Sequence, residues 1–120
     1  MYHRVILIGQ VAQAPEQLTA SKIRFYLAST TGGDEKHRTI WFTIFANGDL
    51  AVTHRNLKKG QRLLIEGVLV ADETGHPAVR TNRAGKSFAR YEVRAVAISS
   101  MGTPPSDGML SDAAAERLEE

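Results

Sequence analysis

No cysteine occurs in this chain, so it has neither a disulfide framework nor a thiolate metal site. The four histidines, at 3, 37, 54 and 76, form no pair at ligand spacing, and no metal or other cofactor is expected. No apolar run approaches the roughly 18 residues of a membrane span. The opening Met1-Tyr2-His3-Arg4 and the short alternating segment after it lack the apolar core and cleavage site of a secretory signal. A cytoplasmic, reducing setting without a membrane partner fits these absences. Aromatic residues are scarce too, 7% of 120 residues, so the position of each ring carries information. A chain of this length is expected to build one domain around one core.

The formal net charge of +2 conceals an asymmetry. Residues 107–120 hold Asp107, Asp112, Glu116, Glu119 and Glu120 against Arg117 alone. The first 106 residues carry 14 Lys and Arg against 8 Asp and Glu. A basic body with an acidic tail is a compositional pointer to nucleic acid, although a solvated surface with a polar terminus looks the same.

The most informative stretch is Thr39-Ile40-Trp41-Phe42-Thr43-Ile44-Phe45-Ala46. Side chains alternate across a strand with a period of two. One face is then Ile40, Phe42, Ile44 and Ala46, which belongs in a core. The other is Thr39, Trp41, Thr43 and Phe45, rings separated by small hydroxyls. Rings held this way on a rigid strand suit the stacking of bases. The plain alternative is a strand buried on both faces.

The rest of the chain supplies a context. A first strand runs from Arg4 to Val11 and closes before Pro15, and a loop spans Glu16 to Ser21. Lys22 to Ala28 reads as a second strand, with Ile23, Phe25 and Leu27 inward and Arg24 and Tyr26 outward. Gly32-Gly33-Asp34 marks a turn before the aromatic strand. The period then changes. Asn47-Gly48-Asp49 can cap a helix carrying Leu50, His54 and Leu57, with Lys58-Lys59-Gly60 as its stop. A fourth strand covers Arg62 to Val70, where Gly67 suggests a bulge or sharp bend. A polar loop from Asp72 to Ser87 leads to a last strand, Phe88 to Ser99. Five strands with a helix between the third and fourth predict an all-β fold, the Greek-key OB-fold barrel. Residues 1–101 are expected to form this domain, and residues 102–120 a Pro/Gly linker and acidic tail.

In such a barrel the outer faces of the second and third strands form the usual ligand surface, with the loop between the last two strands beside it. That surface would present Trp41, Tyr26 and Phe45 for stacking, and Arg24 for phosphates. The loop and last strand would add Arg80, Arg83, Lys86 and Arg90 as phosphate-holding cations. Gly85-Lys86-Ser87 resembles the end of a phosphate-binding loop, but position 80, where its first glycine belongs, is Arg. The carboxylates Glu66, Asp72, Glu73 and Glu92 are dispersed, and no nucleophile elbow is present, so no enzymatic activity is expected.

Several segments in consistent order resemble the bacterial single-stranded DNA-binding protein (SSB) family. They are His3 to Gln10 with Pro15-Glu16, Trp41, Leu57-Lys58-Lys59-Gly60-Gln61, Ile65-Glu66-Gly67, Thr81-Asn82-Arg83-Ala84-Gly85 and Tyr91-Glu92-Val93. The resemblance covers residues 3 to about 101. It implies sequence-independent binding of single-stranded DNA in replication, recombination and repair, and a homotetramer built from dimers, with a dimer as the other homo-oligomer to expect. The first strand, with Tyr2 to Ile8, is the expected subunit-pairing element.

The chain departs from that family's pattern in two ways. The family's further DNA-path rings have no equivalent at Thr31-Gly32-Gly33, at Asn47 or near Arg80. The acidic end, Ser111 to Glu120, lacks the hydrophobic tip with which the family recruits replication and repair proteins. The missing rings favour an alternative of another class, a primosomal-type protein-interaction module descended from the same family, while Trp41 and the near-full-length pattern oppose it.

Overall fold

The computed structural model describes residues 1–31 and 38–102. The expected turn at Gly32-Gly33-Asp34 and the tail from residue 103 onward lie outside the described residues. In chain order the elements are β1 (Val5–Val11), β2 (Glu16–Thr19), β3 (Lys22–Thr30), β4 (Thr39–Asn47), α1 (Asp49–His54), β5 (Arg62–Leu69), β6 (Val79–Thr81), β7 (Ser87–Ala89) and β8 (Tyr91–Ser100).

The fold is all-β, and β1, β5, β8, β4 and β3 succeed one another around a barrel that a β1–β3 pairing closes. The inner face is the one the alternation predicts. Ile23, Phe25, Leu27, Ile44, Leu63, Ile65, Val11 and Val93 are its largest fully buried side chains. Each contributes roughly 1.5–3 kcal/mol by leaving water. Phe25→Ala alone would cost roughly 3–5 kcal/mol, a large part of an ordinary domain's net stability.

Two glycines permit this closure. The β5–β8 register shifts between Glu66 and Gly67, the bulge expected at that glycine. A Cβ on Gly67 would lie 2.5 Å from the Arg94 carbonyl oxygen. On β1, a Cβ at Gly9 would lie 2.4 Å from the Ala28 carbonyl oxygen, so the seam closes only over a bare backbone.

Three expectations need correction. Glu16 to Ser21 is not simply a loop, because β2 pairs with β3 from Glu16↔Arg24 to Thr19↔Lys22. The helix is only six residues long, Asp49–His54, and its N-cap is Gly48, with φ 61° and no side-chain capping bond. With so few turns its stability comes from packing, and Ala51 is the residue it buries. Leu57 lies beyond its end yet remains in the core. The third correction concerns residues 72–99. The predicted loop contains β6, and the predicted last strand is broken at Arg90 into β7 and β8. The Arg90 amide donates to the Ala78 carbonyl at 3.2 Å, one rung beyond Val79↔Ala89, so the hairpin pairing reaches Arg90 before the chain enters β8.

Candidate nucleic-acid interface

The ladder registers assemble the outer face row by row. Directly opposite residues in an antiparallel pair share a face. Arg24 of β3 is therefore beside Phe45 of β4, Tyr26 beside Thr43, and Ala28 beside Trp41. The parallel partner β8 extends two of these rows, placing Glu92 next to Thr43 and Arg94 next to Phe45. Trp41, Tyr26 and Phe45 are each half-buried, whereas Ile44 and Ala46 on the opposite face are fully buried. The core face is fully buried at Ile44 and Ala46 and half-buried at Ile40 and Phe42, while the other face reaches solvent at its rings and is buried at Thr43.

The β6–β7 hairpin forms a second wall over this platform. Its ladder runs Val79↔Ala89, Arg80↔Phe88 and Thr81↔Ser87. Its tip is a turn in which the Asn82 side-chain oxygen accepts from the amides of Ala84 and Lys86, both at 3.0 Å. Gly85 there has φ 79°, a conformation that favours glycine. Gly85-Lys86-Ser87 therefore belongs to a hairpin turn.

Sheet and hairpin enclose three adjoining cavities. One of about 350 Å³ lies among Trp41, Thr43, Phe88 and Tyr91. A second, about 440 Å³, lies among Arg24, Tyr26, Phe45 and Arg80. The third, about 380 Å³, lies among Glu16, Tyr26, Asn82 and Arg83. Arg90 lines all three, at the break between β7 and β8. They form one groove with rings on its floor and cations along its wall.

The cations differ in how they are held. Arg24 is ion-paired with Glu16, and its Nε is buried with no hydrogen-bond partner among the described residues. Burial works against the Arg24 charge, but the Glu16 hydrogen bond and nearby negative charge hold its pKa above the ordinary value. Arg80 binds Glu92 through two hydrogen bonds, at 3.1 and 3.0 Å, and this hydrogen bonding and charge raise its pKa. Lys22 lies 5.1 Å from the Phe45 ring centroid, and Lys86 lies 5.4 Å from that of Phe88. Arg83 is exposed at the hairpin tip.

The structure brings Trp41, Tyr26, Phe45, Arg24, Arg80, Arg83 and Arg90 to one groove. Lys86 stands at its hairpin wall over Phe88. Three participants are not evident from the strand pattern: Phe88, Lys22 and the buried Glu92. Phe88 was expected at the start of the last strand, not on a hairpin over Trp41. The signal was available in the short runs Val79-Arg80-Thr81 and Ser87-Phe88-Ala89, flanking a turn that contains Asn82 and Gly85. Among the described residues no cluster of His, Asp and Glu could hold a metal, and no helix is long and apolar enough to cross a membrane.

Comparison with known proteins follows the same lines. The profile of the Single-strand binding protein family matches residues 2–101. A curated relative, the single-stranded DNA-binding protein of Rickettsia conorii, is 37% identical over 79 residues. That match covers 56% of this chain and 52% of the relative, so the chain spans about half of that relative's length. The crystal structure of a small single-stranded DNA-binding protein from Streptomyces coelicolor superposes with a TM-score of 0.64 at 29% identity, covering 88% of this chain and 97% of that one. A mitochondrial single-stranded DNA-binding protein from S. cerevisiae shares the fold, with a TM-score of 0.60 at 12% identity over 87% of this chain and 99% of that one.

Proposed function

This chain belongs to the single-strand binding protein family, and from that premise we propose that it binds single-stranded DNA without sequence preference, as a binding protein and not an enzyme. The observation that carries the reading is the continuous groove, which unites half-buried rings and cations around Arg90. Bases stack on rings for roughly 1–3 kcal/mol each, whatever their identity, while cations follow the backbone. Trp41, Tyr26 and Phe45 are the stacking residues of this proposal. Arg83, Lys86 and Arg90 hold phosphates, and Arg24 joins them where a phosphate oxygen competes with Glu16. Replication, recombination and repair are the processes in which such a protein protects exposed strands.

A homo-oligomer belongs to the same reading. β1 pairs with β5 from Val5↔Gly67 to Gln10↔Arg62, but with β3 only at Gln10 and Val11. Its other edge is thus largely open among the described residues, and Ile6 and Ile8 are exposed beside it. An open edge with apolar neighbours is a template for a second chain.

Trp41 is the only indole, so it reports on its own strand. Titration with oligo-dT at several salt concentrations should quench its emission. The slope of log K against log[salt] should be about −0.7 for each phosphate contacted. Binding that leaves the emission unchanged and survives Trp41→Ala would remove the stacking platform. Absence of binding would favour the primosomal-type interaction module.

A further inference from the structure

Building on that proposed single-strand binding, we propose that Glu92 is a positioning residue, withholding Arg80 from the phosphates and setting its guanidinium plane as a contact surface for a base. The pair meets fork to fork, Arg80 Nε donating to Glu92 Oε2 at 3.1 Å and Nη2 to Oε1 at 3.0 Å. Two parallel hydrogen bonds fix the orientation of the guanidinium plane as well as its position. The Glu92 side chain is only 2% exposed, whereas that of Arg80 is 54% exposed. One edge of Arg80 is thus held by a buried carboxylate, and the rest of the side chain faces a cavity shared with Tyr26, Phe45 and Arg90.

Two uses of Arg80 compete, and burial decides between them. To neutralise a phosphate, its donors would have to turn outward and leave Glu92 as a buried charge without its partner. That loss exceeds what a solvent-exposed ion contact returns. While paired, Arg80 and Glu92 together are neutral and add nothing to counterion release. The face of the guanidinium remains open while its edge is engaged, and such planes stack on bases as rings do. Glu92 also lies in the row of Thr43 and Tyr26, so the plate it holds lies over the ring-bearing floor.

The test titrates the full chain with oligo-dT and with an abasic deoxyribose-phosphate oligomer of equal length, across salt. Arg80→Lys keeps a cation against Glu92 but removes the plane. It should bind oligo-dT about fivefold or more weakly, with the salt slope unchanged and no loss on the abasic oligomer. Glu92→Gln frees Arg80 and should steepen the slope by about 0.7. An Arg80→Lys chain that binds oligo-dT as well as wild type overturns the inference, as does a Glu92→Gln slope equal to wild type. If Glu92→Gln fails to fold, the Arg80→Lys comparison decides alone. A wild-type chain that ignores oligo-dT removes the binding reading and this inference together; wild-type binding with Arg80→Lys unaffected removes this inference only.

Discussion

Phe45 stands directly opposite Arg24 across the β3–β4 ladder and carries the Lys22 ammonium 5.1 Å from its ring centroid. Arg94 of β8 adjoins the same ring, so three cations surround it, and a base stacked there would have to displace Lys22 from the ring. Phe45→Leu should weaken oligo-dT binding by about 1–3 kcal/mol without altering the salt slope. Lys22→Gln should instead lower the magnitude of that slope by about 0.7. Titrations over a range of salt separate the two effects, and a slope change on Phe45→Leu would contradict the assignment.

Trp41 and Phe88 line one cavity from opposite walls, sheet and hairpin. Each replacement by Ala should cost about 1–3 kcal/mol in oligo-dT affinity. Because a single base can touch both, the double variant should lose less than the sum, with a coupling energy of about 0.5–3 kcal/mol. Strict additivity in the double-mutant cycle would separate the two rings into independent sites.

Gly67→Ala places a methyl 2.5 Å from the Arg94 carbonyl oxygen and 2.6 Å from Val93 Cγ1. The nearest obstacle is backbone, so the barrel has to shift. Overpacking of this kind costs about 1–3 kcal/mol, and each kcal/mol lowers the Tm of such a domain by about 4–8 °C. A thermal melt reads it directly, and an unchanged Tm would mean the bulge is not tight.

The exposed pair Ile6 and Ile8 on the open β1 strand predicts a second outcome for association. Ile6→Lys with Ile8→Lys should shift sedimentation toward the monomer while leaving the circular dichroism of the barrel intact. Wild type that sediments as a monomer at high concentration would rule out pairing through this edge.

Asp72 organises the turn after β5, accepting from the Thr74 hydroxyl at 2.7 Å and from the amides of Thr74 and His76 at 2.8 and 3.0 Å. The Thr74 hydroxyl, followed by these amides, lowers its pKa below the ordinary carboxylate range. A lowered folded-state pKa gives stabilisation that is complete above the unfolded value and lost as pH falls through the folded one. Protection of the Thr74 and His76 amides from hydrogen exchange should therefore decline only in acid, and Asp72→Ala should remove that pH dependence.

Much of this was legible in the chain because a period of two is a local signal. Ile23, Phe25 and Leu27 on one strand, and Ile44 and Ala46 on the next, declare their buried face without reference to any partner. The same alternation exposes Arg24, Tyr26, Trp41 and Phe45. The pairing of Glu92 was not legible, because Arg80 reaches it from a hairpin twelve residues earlier. Phe88 was hidden for a related reason. Ser87 to Arg90 pairs back onto the segment from Ala78 to Thr81 while β8 joins β4 and β5, a change of partner that the local alternation does not announce. The helix was overestimated because Leu57 keeps a helical spacing while being buried from a loop.

Closure of the barrel also sets an order of events. β3 and β4 are consecutive strands, whereas β4 joins β8 in parallel through pairs such as Phe42 and Tyr91. A parallel join cannot form through a hairpin and waits on a long loop closing. Tyr26, Trp41 and Phe45 therefore share a ribbon of two strands that are neighbours in sequence. Glu92 and Arg94 arrive beside them only as the barrel shuts, on the milliseconds-to-seconds scale of non-local β topologies. The aromatic surface thus rests on pairing between neighbouring strands, whereas the row that adds Glu92 and Arg94 rests on the long-range closure of the barrel.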